Sequence, residues 1–373
     1  MKSRAAVLRE APGTWKIEEV EVADPGPKEV QVKLAAAGLC HSDDHITTGD
    51  LPLGHYPVVG GHEGAGVVTA VGPGVTDYRV GDHVTMLCDA GCGICKWCAM
   101  GAQNLCDLNA ELLGGAAPED PSRYRIHIGD EAIGQFVAVS TFSEYTTVSL
   151  PSVMKLPDDI PLELAALISC GVTTGWGAAV NSIHAEPSQT VIVAGIGGVG
   201  INAVQGASHA GASTIIAVDP VEFKRERALA LGATHAFATL EEAGAHARGV
   251  TNGQGADGTV VTIGVVEPAH VAEAFATIRK GGAVAVTGLG RLLDTTPLPV
   301  SLAELTFYQK RLVGSLYGNA SPRYTILRLI DLWRSGQLEL EELITTRYTL
   351  DQVNDGYADL HAGKNLRGVI LFD

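Results

Sequence analysis

The chain of 373 residues is long enough for about two domains of ~150 residues each. Its formal charge of −16, from 26 basic and 42 acidic residues, argues against partners such as nucleic acid or an anionic membrane surface. No uninterrupted apolar stretch reaches the ~20 residues of a membrane span, and the first ten residues lack the long apolar run of a secretion signal. Seven cysteines in such a chain indicate metal binding or reactivity more than disulfides, and we expect a cytoplasmic protein.

Short strand patterns fill the first 150 residues, at 5–8, 30–34, 66–71 and 83–86, with glycine and proline between them. This spacing predicts a small irregular β-barrel. Cys40, in a dense polar cluster, is a possible thiolate ligand of a metal ion. His62 is a second candidate, with Glu63 as a carboxylate that supports it. A lone cysteine or histidine is usually structural, so both candidates depend on a third partner, for which we take Cys170.

Four further cysteines follow a C-x2-C-x2-C-x7-C pattern, at Cys92, Cys95, Cys98 and Cys106. The two-residue gaps let neighbouring thiolates face one centre, and the seven-residue return supplies the fourth corner of a tetrahedron. This spacing predicts a closed structural zinc site, with disulfides or chance as the alternatives. Cys88 belongs to neither set and is interpreted as a small buried hydrophobic residue. Residues 107–135 mix glycine, proline and charge, which predicts a loop of the kind that often forms a lid.

The pattern changes at residues 190–194, an apolar β-branched run typical of a buried parallel strand. A G-x-G-x-x-G sequence follows at 195–200, then a predicted helix at 201–210 and a strand at 214–218 that ends before Asp219. A bare glycine motif is weak, but this order predicts that a dinucleotide pyrophosphate sits on the helix N-terminus. The Asp219 carboxylate can bind ribose hydroxyls and would repel a 2′-phosphate, which favours NAD. Further alternation up to residue 316, with a helix at 268–280, predicts a doubly wound parallel sheet of about six strands.

Together these residues resemble the zinc-containing medium-chain dehydrogenase/reductase family over essentially the whole chain. The resemblance rests on the glycine-rich His62 segment, the four-cysteine lobe, the Cys170 turn and residues 195–219. Within the family the chain is similar to the long-loop alcohol dehydrogenases. Residues 39–45, 198–207 and 218–225 are most similar to the nicotinoprotein alcohol dehydrogenases. Those enzymes are assayed with N,N-dimethyl-4-nitrosoaniline and keep NAD bound through the cycle.

The resemblance implies an α/β fold in which a GroES-like β-barrel catalytic domain accompanies a Rossmann sheet. The catalytic domain would span residues 1–171, with the structural zinc lobe at about 88–107. The NAD-binding domain would span 172–317, and residues 318–373 would return to complete the catalytic domain. The long segment at 107–135 favours a homodimer over the tetramers of short-loop relatives.

The resemblance also implies two zinc ions per subunit and a role for each matching residue. Cys40, His62 and Cys170 would hold the catalytic zinc, a ligand set already known for alcohol dehydrogenases. Ser42 would take the alcohol proton and pass it through the cofactor ribose to His45. Asp43 and Glu63 would support the ligands, and Cys88 would line the substrate pocket. The resemblance implies His41, which replaces an arginine common in the animal enzymes, and Arg367 as contacts of the cofactor pyrophosphate. The other cofactor candidates are Thr174, Gly195, Gly197, Gly198, Val199, Gly200, Asp219 and Lys224, of which Lys224 either contacts the adenosine ribose or is simply solvated.

The activity that follows is NAD-dependent oxidation of a primary or secondary alcohol to an aldehyde or ketone, with an external redox acceptor if NAD stays bound. A thiol-dependent formaldehyde dehydrogenase or a formaldehyde dismutase is the enzymatic alternative, because relatives of this fold do both. An NAD-binding or zinc-binding structural protein is the non-enzymatic alternative. A complete open zinc site disfavours the structural protein, which has no need of one.

Overall fold

The computed structural model describes all 373 residues, and the chain forms two compact units. The first unit contains Met1–Cys170, Ser321–Asp331 and Leu340–Asp373. The second contains Gly171–Ala320 and Leu332–Glu339.

Ten short strands and three helices precede residue 170. The strands are β1 (Lys2–Leu8), β2 (Lys16–Val22), β3 (Glu29–Gly38), β4 (Val58–Val59), β5 (Glu63–Val71), β6 (His83–Met86), β7 (Ile126–Ile128), β8 (Glu131–Gln135), β9 (Tyr145–Ser149) and β10 (Val153–Lys155). The helices are α1 (His41–Thr48), α2 (Lys96–Ala99) and α3 (Leu162–Leu167).

Strands and helices alternate through the middle of the chain. The strands are β11 (Thr190–Ala194), β12 (Thr214–Val218), β13 (His235–Phe237), β14 (Ala256–Val261), β15 (Ile278–Val286) and β16 (Arg311–Gly314). The helices are α4 (Thr173–Gly177), α5 (Gly200–His209), α6 (Glu222–Ala230), α7 (Leu240–Val250), α8 (Pro268–Thr277) and α9 (Leu302–Phe307). The chain ends with α10 (Pro322–Arg334), β17 (Ile344–Tyr348), α11 (Val353–His361) and β18 (Arg367–Leu371).

The first unit combines a closed five-stranded barrel, in the order β1-β2-β7-β8-β4, with a seven-stranded sheet. In that sheet β3 is central, because it pairs antiparallel with β5, β9 and β18. Buried aliphatic side chains such as Val32, Leu34 and Val68 fill the core along it. The barrel confirms the predicted GroES-like fold class.

The second unit is built on a six-stranded sheet in the order β13-β12-β11-β14-β15-β16. Every neighbouring pair in it is parallel. All five residues of β11 are buried, as a strand covered on both faces requires. The order reverses at β11, which is the doubly wound arrangement, and this confirms the Rossmann prediction. The predicted bounds of β11 and β12 match the structure at both ends.

The prediction of a loop over residues 107–135 is wrong. Residues Asp107–Gly114 form a 3-10 helix, and β7 and β8 then complete the barrel. Their core contribution is small, with Ile126 and Ile133 as buried side chains. Arg125 is also buried and donates hydrogen bonds to Glu29 at 2.8 Å and to Gln135 at 3.2 Å. Strands this short, anchored by a buried ion pair, show no clear alternation of apolar residues.

Two helices also differ from the predictions. The helix predicted at 268–280 ends at Thr277, because residues from Ile278 onward belong to β15. Helix α7 was not predicted, although Thr239 and Glu242 form a capping box at its start, which is a recognisable sequence signal. Internal glycines obscure its apolar face.

One helical run, Leu162–Ser182, has the length and the mean hydropathy, 1.2, of a membrane span. Of its most apolar window, 89% is buried inside the protein. The run therefore serves as a core helix whose apolar surface is covered by protein atoms.

Candidate active site and metal centres

The register of the central sheet brings Cys40 and His62 together. Gly38, the last residue of β3, pairs with Glu63, the first residue of β5. Cys40 follows β3 by two residues, and His62 precedes β5 by one, so both lie at the same end of this strand pair. A Cβ on Gly38 would lie 2.1 Å from Glu63 Oε2, so glycine is required at this close approach.

Cys170 reaches the same centre from the π-helical turn Ile168–Val172, which follows α3. π-helical turns are rare and are frequent at functional sites. One ligand atom from each of Cys40, His62, Glu63 and Cys170 lies within 4.8 Å of the others, and all four residues lie in the first unit. The structure therefore brings the three predicted catalytic ligands together and adds Glu63 to them.

Polar contacts prepare these side chains for a metal ion. Neither ring nitrogen of the buried His62 has a hydrogen-bond partner in the protein, although Nδ1 lies within ion-pair distance of Asp43 Oδ2, at 2.9 Å. Asp43 Oδ1 also accepts a hydrogen bond from Gly61 N at 2.8 Å, where Gly61 has a φ of 85°. The carboxylate thus fixes the imidazole with Nε2 free to ligate, which is a common support for metal-binding histidines.

The electrostatics of the centre favour a thiolate. A hydrogen bond from Cys170 and the charge of His62 outweigh burial and hold the pKa of Cys40 well below its usual range. Burial lowers the pKa of His62, but the charges of Asp43 and Cys40 raise it above its usual range. The hydrogen bonds to Cys40 and Cys88 raise the pKa of Cys170. A shared proton among these groups is what a divalent cation would displace on binding.

Glu63 and Arg367 form a buried ion pair beside the ligands. Arg367 is the first residue of β18, and it lies near Glu63 because Val369 pairs with Gly38. Burial raises the pKa of Glu63 to about 7, against the opposing charge of Arg367. Arg367 is 3% exposed and its Nε has no hydrogen-bond partner in the protein. In this structure Arg367 therefore contacts Glu63, and the predicted pyrophosphate contact stays a prediction.

The predicted proton relay residues lie on and near α1. Ser42 Oγ is 3.8 Å from Cys40 Sγ. His45 is only 3% exposed, and its Nδ1 lies 3.6 Å from Asp50 Oδ2. Sequence reasoning made His45 the outer end of the relay and missed Asp50, which is the more exposed of the two side chains. No sequence motif predicts the contact between residues 45 and 50, because it depends on the left-handed turn at Gly49 that ends α1.

Two other contacts were not predicted. Tyr357, buried on α11, donates a hydrogen bond to the Cys40 carbonyl at 3.3 Å and so supports the ligand segment. Cys88 is only partly buried, so its interpretation as a buried hydrophobic residue is wrong. Its thiol hydrogen-bonds Cys170.

The second cluster contains Cys92, Cys95, Cys98 and Cys106, all of them free thiols. Two sulfur pairs, Cys92 with Cys98 and Cys95 with Cys106, are each separated by 3.9 Å. Tetrahedral ligands at a Zn–S distance of about 2.3 Å would stand about 3.8 Å apart, so the separation fits zinc and not a disulfide. A backbone N–H of Cys98 and one of Asp107 lower the pKa of Cys95 to about 6.

The glycine-rich turn between β11 and α5 has the geometry of a nucleotide cradle. Gly195 has a φ of 92°, and a Cβ on Gly200 would lie 1.9 Å from Gly195 O. A Cβ on Gly197 would instead enter open space, where a side chain would occupy the room that a pyrophosphate needs. Asp219 follows β12, and its carboxylate accepts hydrogen bonds from Ile196 N and Val221 N at 2.8 and 2.9 Å. Each oxygen keeps a second lone pair for a ribose hydroxyl.

Other predicted cofactor residues are found in both units. His41 begins α1, Thr174 lies in α4, and Lys224 lies in α6. Arg225 donates hydrogen bonds to the carbonyls of Asp219 and Pro220, so its guanidinium supports the strand end. Gly198 and Val199 complete the turn before α5.

Comparison with known proteins identifies the family to which the chain belongs. Residues 26–158 match the model of the alcohol dehydrogenase GroES-like domain, and residues 198–333 match that of the zinc-binding dehydrogenases. The chain is 49% identical over 371 residues to an NDMA-dependent alcohol dehydrogenase of Amycolatopsis methanolica, covering 100% of this chain and 99% of that one.

Solved structures give the same result. An alcohol dehydrogenase zinc-binding domain protein from Burkholderia ambifaria superposes with a TM-score of 0.92 at 33% identity, covering 100% of this chain and 99% of that one. The benzyl alcohol dehydrogenase of Acinetobacter calcoaceticus gives 0.91 at 29% identity, with both chains covered fully. The chain therefore belongs to the zinc-containing medium-chain alcohol dehydrogenase family.

Proposed function

We propose that this protein oxidises a primary or secondary alcohol to an aldehyde or ketone at the Cys40–His62–Cys170 centre, with NAD as hydride acceptor. The observation that carries the proposal is a buried set of metal-ligating atoms within 4.8 Å of one another, in which His62 Nε2 has no protein partner. When bound, zinc would lower the pKa of the alcohol and NAD would accept the hydride. The matched relatives that are named alcohol dehydrogenases support this reaction class.

The protein groups around this centre would orient the ligands and move a proton. Asp43 holds the His62 ring, and Tyr357 holds the Cys40 backbone. Ser42 would accept the alcohol proton and pass it towards His45. A proton on His45 has the Asp50 carboxylate, 3.6 Å away, as its next acceptor on the way to solvent.

A second zinc ion in the four-cysteine lobe would be structural. The four sulfurs supply a complete tetrahedral ligand set, which leaves no position for a substrate. None of the seven cysteines forms a disulfide, which suits a reducing compartment and supports a cytoplasmic location.

The cofactor would remain bound through the catalytic cycle, and an external acceptor would oxidise the NADH formed in each turnover back to NAD. The support is the 49% identity to an enzyme named for its dependence on NDMA, together with the subgroup resemblance of residues 39–45 and 198–225. Tight retention needs a Kd of about 1 nM, or about −12 kcal/mol, which a ligand of this size can reach.

We also propose a homodimer, formed through the second unit. Leu293, Leu302 and Phe307 are 78%, 74% and 82% exposed, an unusual density of large apolar side chains on one surface segment. Strand β16 follows this segment in the chain and ends the sheet, so its outer edge pairs with no strand of this chain. A second copy can cover the apolar side chains and the open strand edge together.

The two zinc ions should have separable roles. Cys106→Ser should lower the melting temperature strongly, since structural zinc contributes roughly 10–16 kcal/mol of apparent binding free energy in small peptides. Cys40→Ser should abolish turnover, keep the fold and lower the zinc content from two ions per subunit to one. Metal analysis with thermal melting checks both variants. One zinc ion per subunit in fully active enzyme would contradict the proposal.

Asp219 should determine the choice of NAD over NADP, because its charge opposes a 2′-phosphate. Asp219→Asn removes the charge but keeps an oxygen for the Ile196 and Val221 amides, so it separates charge from loop support. We expect the NAD to NADP preference to fall about tenfold or more, which is about 1.4 kcal/mol. Cofactor competition on the denatured and reloaded enzyme measures it, and an unchanged ratio would refute this role.

His45→Gln should slow alcohol oxidation most at lower pH, where unassisted loss of the alcohol proton is hardest. The measurement is the pH profile of kcat. Loss of general base catalysis by His45 should lower kcat by about a hundredfold at the acidic end of the profile. His127→Gln, a half-buried histidine of β7, is the matched control. Equal profiles for the two variants and the unmodified enzyme would remove His45 from the relay.

Exhaustively gel-filtered protein should oxidise alcohol with a nitroso dye and no added NAD, because the cofactor does not leave. Denaturing extraction should release about one NAD per subunit. The control is the same protein after denaturation and refolding without cofactor, which should be inactive until NAD is restored. Activity that requires added NAD, with free NADH formed in step with the aldehyde, would assign an ordinary exchanging dehydrogenase.

The dimer should dissociate when its apolar face is charged. Phe307→Glu combined with Leu293→Glu should shift the mass measured by light scattering from two subunits to one. Val80→Glu, at an exposed valine of the first unit, is the matched control and should leave the mass unchanged. A monomeric unmodified protein, or a double variant that keeps the original mass, would contradict the proposed interface.

A further inference from the structure

Asp89 is the one buried acidic residue that has no partner in the protein. It is 9% exposed, and its Oδ2 is fully buried and accepts no hydrogen bond from the protein. Every other buried acidic side chain has a hydrogen-bond or ion-pair partner; these residues are Glu29, Asp43, Asp44, Glu63, Asp82 and Asp219. Because burial of an unpaired carboxyl group is costly, the exception indicates a missing ligand.

The position of Asp89 relates it to the catalytic centre. It follows Cys88, whose thiol hydrogen-bonds the ligand Cys170. The charge of His62 acts on its carboxyl group, although burial dominates and raises the pKa of Asp89 to about 7. All of these residues lie in the first unit.

Backbone contacts hold Asp89 in this place. Leu87 N donates to Ser152 O at 2.9 Å, and Gly91 N donates to Pro151 O at 3.2 Å. These two bonds fix the chain on both sides of Asp89 to the same neighbouring segment. The loop is therefore held in place, and a partner for the buried Oδ2 has to come to it.

We propose that Asp89 hydrogen-bonds a second hydroxyl group of the alcohol substrate, so that the enzyme favours diols over mono-alcohols of the same carbon number. This inference rests on the proposed alcohol oxidation. A hydroxyl group suits the site because it donates to a carboxylate and accepts from a carboxylic acid. An ammonium group pairs only with the ionised form, which burial disfavours.

The test compares α,ω-diols of two to six carbons with the 1-alkanols of equal length. The dye-linked assay with the intact enzyme gives kcat/KM for each. We expect at least one diol to be preferred, and we expect Asp89→Leu to lower that ratio of diol to mono-alcohol about tenfold or more. Asp89→Asn keeps hydrogen-bonding atoms and should give an intermediate ratio. Asp130→Asn, at an exposed turn, is the matched control and should leave the ratio unchanged.

Zinc content and melting temperature are measured for each variant to detect a structural defect. A purely structural role of Asp89 would lower the activity with diols and with mono-alcohols equally and leave their ratio unchanged. That outcome would overturn the proposal, as would an unmodified enzyme that prefers no diol. A preference confined to amino alcohols would indicate that Asp89 binds an ammonium group and would also overturn the proposal. If Asp89→Leu does not fold, the ratio of diol to mono-alcohol kcat/KM in Asp89→Asn is used instead. A fall of about threefold or more in that ratio supports the proposal, and a smaller fall contradicts it. Oxidation of no alcohol at all would instead refute the proposed function.

Discussion

The pairing of Gly38 with Glu63, in the antiparallel register of β3 and β5, is the constraint on which the catalytic centre depends. It sets Cys40 and His62 at the same end of two neighbouring strands. Because β18 pairs with the other edge of β3, the same register brings Arg367 to Glu63. A slip of one residue would turn every side chain of the strand to the other face and would separate the ligands. The missing side chain of Gly38 is what lets the ion pair form at this position.

Charge compensation explains why so many polar groups can be buried here. A zinc ion would balance the thiolates of Cys40 and Cys170, and Arg367 balances Glu63. Asp43 is stabilised by the Gly61 amide and the His62 ring, which opposes the effect of burial on its pKa. The cluster is therefore organised around a cation. Without that cation the thiolates would share a proton, as the raised pKa of Cys170 indicates, so metal binding would release that proton.

The sequence predicted the parts of the structure that depend on local pattern. Strands β11 and β12 are buried β-branched runs, and their bounds follow from composition. The four-cysteine lobe follows from spacing. Strands β7 and β8 were missed because their stability comes from a buried ion pair between Arg125 and Glu29, which are 96 residues apart. Such a contact depends on tertiary geometry, which periodicity does not report. The contact of Asp50 with His45 is local, but it depends on the left-handed turn at Gly49 that ends α1, and periodicity does not report that turn.

In the proposed function, the groups that would perform the chemistry come from different segments than Cys88 and Asp89, which would face the substrate. The metal ligands come from the end of β3, the start of β5 and the π-helical turn after α3, and all are buried. Cys88 and Asp89 come from a different segment, which hydrogen bonds to residues 151 and 152 hold in place. Because that segment contributes no metal ligand to the catalytic centre, its side chains can change without disturbing the register that assembles the metal site. Substrate selectivity can therefore diverge among relatives while the ligand geometry stays constant.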